Sequence, residues 1–280
     1  MAIYDKARAF MRESGNGGQW VNGYPKEELI RGDIAAGTSY VIESDGRIVG
    51  AFCFLQGIDE PTYAVIREGA WLSDAPYGVI HRLGTDGSVK GAGTAVFEWA
   101  LKRWPHMRVD THADNVPMQR LIKKMGFDYC GLINVEDGSE RLAFEKTGPN
   151  LKAIRQSRNA KNAFARHSGI EIAEILTGEA TVRMTVTPDH LNPVDSIHGG
   201  CLYTIADVAA GSAASSYGGA VTTLEGSLHF LRPGLNCREL TGYAKVIKGG
   251  KRVMVIDVSV TDEGGRELAA GIFTYMNLQI

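Results

Sequence analysis

"NPVDSIHGGCLYTIADVAAGSAA", residues 192–214, joins a His-Gly-Gly turn to an apolar run that contains a single carboxylate, Asp207. From Gly199 onward the run predicts a helix that is apolar on all sides and therefore buried. An unpaired buried carboxylate is costly, so Asp207 needs either a hydrogen-bond partner or a chemical role of its own. The stretch alone leaves a structural aspartate and a catalytic aspartate equally open.

The spacing of His198 and Asp207 has a geometric consequence. Nine helical residues rotate the chain by about 900°, half a turn out of alignment, and advance it by about 13 Å. These two side chains of one chain cannot meet, so a site that uses both needs two chains. Gly199 and Gly200 begin the helix, and we expect their free N–H groups to face a carbonyl oxygen that gains negative charge. This arrangement suits acyl transfer to water.

Strand patterns surround the helix. Apolar residues alternate at 180–186 before it. Four β-rich segments separated by turn signals follow it, at 220–234, 238–248, 251–262 and 267–280. One long helix followed by antiparallel strands is an α+β order. A turn-rich break with a basic helical segment after it predicts a domain boundary near 148, between domains 1–147 and 148–280.

The first half predicts a mixed sheet with flanking helices. A hairpin signal at 44–46 and a strand at 77–83 precede a glycine-rich turn, Lys90-Gly91-Ala92-Gly93, that opens an amphipathic helix. Such a turn exposes backbone N–H groups at a helix N-terminus and suits a phosphate. An ordinary glycine-rich loop is the alternative, because the spacing matches neither a Rossmann nor a P-loop fingerprint.

Residues 1–147 resemble the GCN5-related N-acetyltransferase (GNAT) family. The resemblance rests on the 90–93 turn and on Asn115, Leu121-Ile122 and Gly126-Phe127 after the next strand. It implies acetyl-CoA binding, with the pyrophosphate in the turn and an unknown amine as acceptor. The cofactor-binding residues that it implies are Leu83, Val89, Lys90, Gly91, Gly93, Thr94 and Asn115.

Two features depart from the GNAT pattern. Ile122 stands where the family usually has a tyrosine, the acid for the departing thiolate. The family's first strand is expected to be missing, because the chain begins in the first helix. Acetyl-CoA binding is therefore better supported than acetyl transfer. His81, on the strand before the turn, is either a base or a polar residue with a structural partner.

Residues 155–280 resemble the PaaI-like hotdog thioesterases, in which an antiparallel sheet wraps a long helix. The resemblance rests on the stretch from His190 to Ala214, with Ile205 in place of the family's leucine, and on "TTLEGSLHFLRPG" at 222–234. It implies hydrolysis of acyl-CoA thioesters.

The thioesterase resemblance implies a role for each motif residue. Asp207 is the base or nucleophile, and the Gly199 N–H polarises the thioester carbonyl. His198 and Asn192 orient substrate or water, and Thr223 places the water or the carboxylate. The implied CoA contacts are Gly200, Arg232 and Lys251. A solvent-exposed basic face explains the last two equally well.

Composition excludes several classes of protein. The chain has 280 residues, a formal net charge of −2 and 44% hydrophobic residues, which favours a soluble globular protein without a nucleic-acid partner. Four scattered cysteines argue against a zinc site or disulfides and indicate a cytoplasmic location. We expect no membrane span and no secretory leader. A strand end explains the polar segment 110–115, so no metal is expected.

The sequence therefore predicts an acyl-CoA thioesterase fused to a domain that takes coenzyme A or acetyl-CoA and resembles an N-acetyltransferase. A homodimer or homotetramer through the hotdog domain is expected. The alternative is a non-enzymatic CoA-ester-binding or sensing protein, in which the hotdog half mainly dimerises.

Overall fold

The computed structural model describes residues 1–278 and separates into two compact units, Met1–Gly148 and Pro149–Ile280. Each unit contains one six-stranded sheet. The predicted α+β class is confirmed, with a mixed sheet and flanking helices in the first unit and an antiparallel sheet with a long helix in the second.

The sheet of the N-terminal unit has the strand order β1-β2-β3-β4-β6-β5. Its strands are β1 (Ser39–Ser44), β2 (Arg47–Ile58), β3 (Tyr77–Thr85), β4 (Met107–Thr111), β5 (Asp128–Asn134) and β6 (Glu140–Lys146). Its helices are α1 (Ala2–Glu13), α2 (Glu27–Ala35), α3 (Ala92–Arg103) and α4 (Val116–Lys124). Phe97 on α3, Ile122 on α4 and Phe144 on β6 pack into its main apolar core.

The central strands β3 and β4 diverge. They form the parallel pair of this sheet, which requires the crossover supplied by α3. Their pairing covers only Gly78 with Met107 and Val79 with Arg108, near the start of each strand. The C-terminal ends of the two strands therefore separate, and an opening lies between them.

The sheet of the C-terminal unit has the order β7-β8-β10-β11-β12-β9, and all its pairs are antiparallel. Its strands are β7 (Ile170–Leu176), β8 (Glu179–Thr185), β9 (Ala220–Phe230), β10 (Glu239–Gly249), β11 (Val253–Asp262) and β12 (Glu267–Leu278). Its helices are α5 (Leu151–Lys161), α6 (Ala163–His167) and α7 (Gly199–Ser215). The last two residues of the predicted segment 267–280 lie outside the described residues.

Helix α7 is the centre of the C-terminal core. Ile205 and Ala206 are fully buried, and they share one apolar cluster with Leu240 on β10 and Ile256 on β11. The predicted burial is observed from Val208 to the end of the helix, where every residue is buried, whereas Tyr203 in its first turns is 37% exposed.

Strand β9 lies at one edge of this sheet, beside β12. Their register places Thr223 opposite Tyr275. Two large apolar side chains on β9 are more than half exposed, Leu224 at 52% and Phe230 at 57%. An exposed edge strand with apolar side chains is typical of a surface that pairs with another chain.

Two elements were absent from the sequence-based expectation. Helix α2 buries none of its residues, so it lacks the apolar stripe that identifies a helix in a sequence. Strand β7 contains a register shift between Ile172 and Glu174, which breaks its period-two pattern.

Candidate active site

Helix α7 begins at His198, whose Nδ1 accepts a hydrogen bond from the Gly200 N–H at 2.9 Å. The Gly200 N–H is thus not free, and the expectation that both glycine N–H groups face a ligand is wrong for this one. Among residues 1–278, the Gly199 N–H has no hydrogen-bond partner. Gly199 therefore carries the free donor at the positive end of a helix of 17 residues.

A cavity of about 300 Å³ opens beside the start of α7 and brings Asn192, Gly199 and Arg232 together. A Cβ on Gly199 would lie 3.3 Å from the Phe230 ring. Glycine at this position therefore avoids a tight contact with Phe230 in the wall of the cavity. The Asn192 Oδ1 accepts the N–H groups of Val194 at 3.0 Å and of Ser196 at 3.1 Å. The Asn192 oxygen therefore shapes the loop.

The Asp207 carboxylate is held through one of its two oxygens. Thr223 Oγ1 donates to Asp207 Oδ1 at 2.9 Å, and Tyr275 Oη donates to the same oxygen at 2.6 Å. Tyr275 Oη also lies 2.8 Å from the Asp207 carbonyl oxygen. No described residue hydrogen-bonds Oδ2. This oxygen therefore keeps its capacity to accept a hydrogen bond.

Tyr275 is suited to remain a donor. Burial is the largest cause that raises the pKa of its hydroxyl, and the neighbouring Asp207 raises it further. The hydroxyl therefore keeps its proton at neutral pH, and the hydrogen bond to Oδ1 persists.

Within one chain, the predicted thioesterase residues form two separate groups. The first group, which lines the cavity at the start of α7, contains Asn192, Gly199 and Arg232. The second group is the contact between Asp207 and Thr223 of β9, and it lies two to three helical turns further along α7. The regular helix between His198 and Asp207 keeps them about 13 Å apart along its axis.

The two predicted basic contacts are both solvent-accessible. Arg232 Nη1 donates to the Glu267 carbonyl oxygen at 2.8 Å, which fixes the direction of the side chain. Lys251 is exposed in the turn between β10 and β11.

Sequence reasoning missed Tyr275. Its segment, "FTYMNL", has the composition of an ordinary buried strand. Tyr275 pairs with Thr223 because β9 and β12 are adjacent in the sheet. In the sequence, two other strands separate β9 from β12. No local signal in the sequence identifies this contact.

In the N-terminal unit, the glycines of the 90–93 turn have different physical roles. Gly91 has a φ of +86°, a left-handed conformation that favours glycine, and open space lies around it. A Cβ on Gly93 would approach Leu121 Cδ2 to 3.1 Å, so this glycine permits close packing of α3 against α4. Val89 and Lys90 are exposed at the start of α3, and Thr94 is half-buried.

A cavity of about 460 Å³ lies in the opening between β3 and β4 and includes Leu83, Asn115 and Ile122 in its wall. The Asn115 Oδ1 caps α4 by accepting the Met118 N–H at 3.2 Å. Ile122 is fully buried, and its hydrocarbon side chain has no proton to donate.

His81 faces the same cavity and forms a pair with Glu60, with 3.0 Å between His81 Nε2 and Glu60 Oε2. Both side chains are less than one-fifth exposed. The hydrogen bond from His81 is the largest cause that lowers the pKa of Glu60, from 4.5 to about 2. Glu60 therefore stays ionised and orients the imidazole.

Residues 1–278 contain no group of three or more His, Cys, Asp or Glu side chains arranged to hold a metal ion. In the same range no helix is both long and apolar enough to span a membrane.

Comparisons with known proteins identify the two units. The thioesterase superfamily model matches residues 195–269, and the acetyltransferase (GNAT) family model matches residues 6–127. The acyl-coenzyme A thioesterase PaaI of Escherichia coli strain K12 is 37% identical over 108 residues, which cover 39% of this chain and 77% of that protein.

Two solved structures are also similar. The E. coli PaaI protein from the phenylacetic acid degradation operon is 31% identical, covers 46% of this chain and 93% of its own, and has a TM-score of 0.44. A GNAT-family acetyltransferase from Streptococcus agalactiae 2603 is 34% identical, covers 54% of this chain and 88% of its own, and has a TM-score of 0.48. The chain belongs to the PaaI-like hotdog thioesterases in its C-terminal half and to the GNAT family in its N-terminal half.

The Glu60–His81 pair predicts a pH dependence of stability. Ionised Glu60 stabilises the folded unit above the ordinary pKa of 4.5, and this contribution is lost as the pH falls toward about 2. His81→Ala removes the hydrogen bond that lowers the pKa of Glu60, whereas burial, which raises that pKa, remains. The pH dependence of stability between about 4.5 and 2 should become shallower, and the Glu60 titration should move up.

Carboxyl NMR titration measures the second effect, and denaturation followed by tryptophan fluorescence measures the first. All four tryptophans lie in residues 1–148, so the fluorescence reports on this unit alone. His167→Ala, which changes an exposed histidine of the other unit, is the control. An unchanged Glu60 titration in His81→Ala would show that the pair is not coupled.

Proposed function

We propose that the C-terminal unit hydrolyses acyl-CoA thioesters with Asp207 as its reactive carboxylate. The observation that carries this proposal is the one-sided binding of Asp207, with Oδ1 held by Thr223 and Tyr275 and Oδ2 free. The likeness to a thioesterase that acts on acyl-coenzyme A supports the same substrate class.

The chemistry divides between the two groups of residues. The thioester carbonyl oxygen accepts the Gly199 N–H at the positive end of α7, which stabilises the negative charge that develops there. Asp207 Oδ2 removes a proton from water, whose oxygen bonds to the carbonyl carbon. The C–S bond then breaks, and the CoA thiolate takes up the proton. In the nucleophilic version, Oδ2 bonds to the carbonyl carbon, the C–S bond breaks and CoA leaves as the thiolate. Water then hydrolyses the resulting anhydride, which returns Asp207 to its carboxylate form, and the proton released from the water goes to the thiolate.

Two chains supply each site in this proposal. One α7 cannot bring its own Gly199 and Asp207 to the same carbonyl, because they lie about 12 Å apart along the helix. Two antiparallel copies of α7 remove this obstacle. The exposed apolar side chains Leu224 and Phe230 on the edge strand β9 support a homodimer, or a homotetramer of such dimers. In such a dimer, Arg232 and Lys251 bind the CoA phosphates.

Asp207→Asn should lower kcat/KM for acyl-CoA hydrolysis by at least about 10²-fold, because it removes the base or nucleophile and keeps the shape of the side chain. A panel of acyl-CoA esters with thiol detection measures the rate. Asp257→Asn, an exposed aspartate on β11, is the matched control and should retain full activity. Equal activity of Asp207→Asn and the control would exclude Asp207 from the reaction.

We also propose that the N-terminal unit binds acetyl-CoA at the start of α3 and transfers its acetyl group to an amine. The left-handed turn at Gly91, the exposed Lys90 and the opening between β3 and β4 support the binding step. In this proposal His81 takes the proton from the attacking amine, and its hydrogen bond with Glu60 supports this role by orienting the imidazole. Ile122 provides no proton for the departing thiolate.

Lys90→Glu should abolish one class of acetyl-CoA site or weaken it at least about tenfold, because it reverses a charge beside the pyrophosphate position. Calorimetry on the full chain in the Asp207→Asn background measures binding without hydrolysis. Lys124→Glu makes the same charge change at an exposed position on α4. Equal affinity in the two variants would show that the turn does not bind the cofactor.

The non-enzymatic alternative is favoured by one observation in the N-terminal unit. Ile122 is buried and apolar where the GNAT pattern usually has a proton donor. A unit that binds the CoA ester without transferring its acetyl group would retain affinity in the calorimetric experiment and show no acetylation of any amine.

A further inference from the structure

Arg108 on β4 and Glu145 on β6 form a buried ion pair in the N-terminal unit. The two residues lie opposite each other in the register of these strands. Arg108 Nε donates to Glu145 Oε1 at 3.1 Å, and His106 Nε2 lies 2.6 Å from the same oxygen. All three side chains are less than one-tenth exposed. A buried ion pair adds little net stability relative to apolar side chains of similar size, so stability alone is a weak reason for its presence.

Two aromatic rings pack against the guanidinium of Arg108. Its Cζ atom lies 4.2 Å from the centroid of the Trp71 ring and 4.0 Å from the centroid of the Tyr77 ring. Arg108 Nη2 also donates to the Ser73 carbonyl oxygen at 2.6 Å. A planar guanidinium can stack on aromatic faces and donate hydrogen bonds at its edge at the same time. Arg108 therefore fixes the positions of both rings.

Both rings bind the turn that carries Glu60. Tyr77 Oη accepts the Glu60 N–H at 3.0 Å, and Trp71 Nε1 donates to the Tyr63 carbonyl oxygen at 2.9 Å. Glu60 is the N-cap of the short helical turn Pro61–Tyr63. The two hydrogen bonds therefore hold the two ends of this turn.

The Glu60 carboxylate moves with its turn. Its Oε1 atom accepts a hydrogen bond from Thr62 Oγ1 at 2.9 Å, and Thr62 belongs to the same turn. Its Oε2 atom lies 3.0 Å from His81 Nε2 on β3. A displacement of the turn therefore changes the contact between the carboxylate and the imidazole. A misplacement of about 1 Å in a reacting group can cost about 10²-fold in rate.

We propose that Arg108 is a positioning residue: its guanidinium fixes the rings of Trp71 and Tyr77, and these rings hold the turn that places Glu60 against His81. This proposal rests on the acetyl-transfer function proposed for the N-terminal unit, in which His81 takes the proton from the amine. The buried charges thus serve the geometry of the proposed base, across a path in which a printed contact joins each residue to the next.

The titration of Glu60 reports on its contact with His81. The hydrogen bond from His81 is the largest cause that lowers the pKa of Glu60 to about 2, and burial acts in the opposite direction. The other charged groups that line the cavity are paired or exposed: Arg82 with Asp33, Arg141 with Asp110, and the exposed Lys26, Glu136 and Asp137.

Three variants of the full chain interrupt the path at different points. Tyr77→Phe keeps the ring beside the guanidinium and removes the acceptor of the Glu60 N–H. Trp71→Phe keeps an aromatic ring and removes the indole donor. Arg108→Lys keeps the positive charge and removes the planar guanidinium. All proteins also carry Asp207→Asn, so that the proposed thioesterase does not consume the cofactor.

Two matched controls make the same changes elsewhere in the unit. Tyr129→Phe alters a tyrosine of β5 that is 50% exposed, and Arg103→Lys alters an arginine of α3 that lies over the Trp99 ring. Three quantities are measured in each protein: the carboxyl NMR titration of Glu60, the affinity for acetyl-CoA by calorimetry, and kcat for acetyl transfer from acetyl-CoA to a panel of primary amines.

In the three variants, the Glu60 titration should move up by about one pH unit toward the ordinary value of 4.5, because the carboxylate loses part of its hydrogen bond from His81. The value of kcat should fall at least about tenfold. The affinity for acetyl-CoA should stay within about twofold, since the turn does not belong to the proposed cofactor site. Both controls should leave all three quantities unchanged.

An unchanged Glu60 titration in folded Tyr77→Phe or Trp71→Phe would overturn the proposal. Equal losses of acetyl-CoA affinity and of kcat would also overturn it, because they indicate a general distortion of the unit. The two phenylalanine variants retain the buried ion pair, so they decide the question if Arg108→Lys does not fold. The NMR titration requires no activity. A parent protein that acetylates no amine therefore contradicts the proposed transfer, while the titration still decides whether this path positions Glu60.

Discussion

The hydrogen bonds from Thr223 and Tyr275 to one oxygen of Asp207 are the interaction on which the C-terminal site depends. They join the central helix α7 to the two strands at one edge of the sheet, and the register of those strands places the two donors opposite each other. A carboxylate bound on one side is tolerated within an apolar helix and still presents a free oxygen. Asp207, the single carboxylate of this apolar helix, therefore has hydrogen-bond donors for Oδ1 and retains an unbound Oδ2 for the proposed reaction.

In both proposed sites, a helix N-terminus lies where the CoA ester would bind. In the N-terminal unit, the left-handed Gly91 opens α3 and exposes its first N–H groups to the proposed pyrophosphate position. In the C-terminal unit, His198 caps α7 through the Gly200 N–H and leaves the Gly199 N–H for the proposed carbonyl. The same backbone feature would bind a phosphate in one unit and polarise the reacting carbonyl in the other.

Much of the fold could be predicted from local patterns. The all-round apolar run around Asp207 predicted α7, and glycine turns between β-rich segments predicted the order of the later strands. Long-range contacts could not be predicted in this way. The pairing of Thr223 with Tyr275, for example, requires two strands that are not consecutive in the chain. One local contact was also not predicted. The Gly200 N–H donates to the His198 side chain and is therefore not free for a ligand.

In the proposed dimer, each thioesterase site combines the start of α7 from one chain with Asp207 from another. A mixing experiment with His198→Ala and Asp207→Ala tests it most directly, after each variant is shown to be nearly inactive alone and subunit exchange is verified. Random exchange makes half of the dimers mixed, and each mixed dimer has one site with neither substitution. Activity should therefore recover toward about a quarter of wild type. No recovery after verified exchange would show that the two residues act within one chain, and would contradict a site shared between chains.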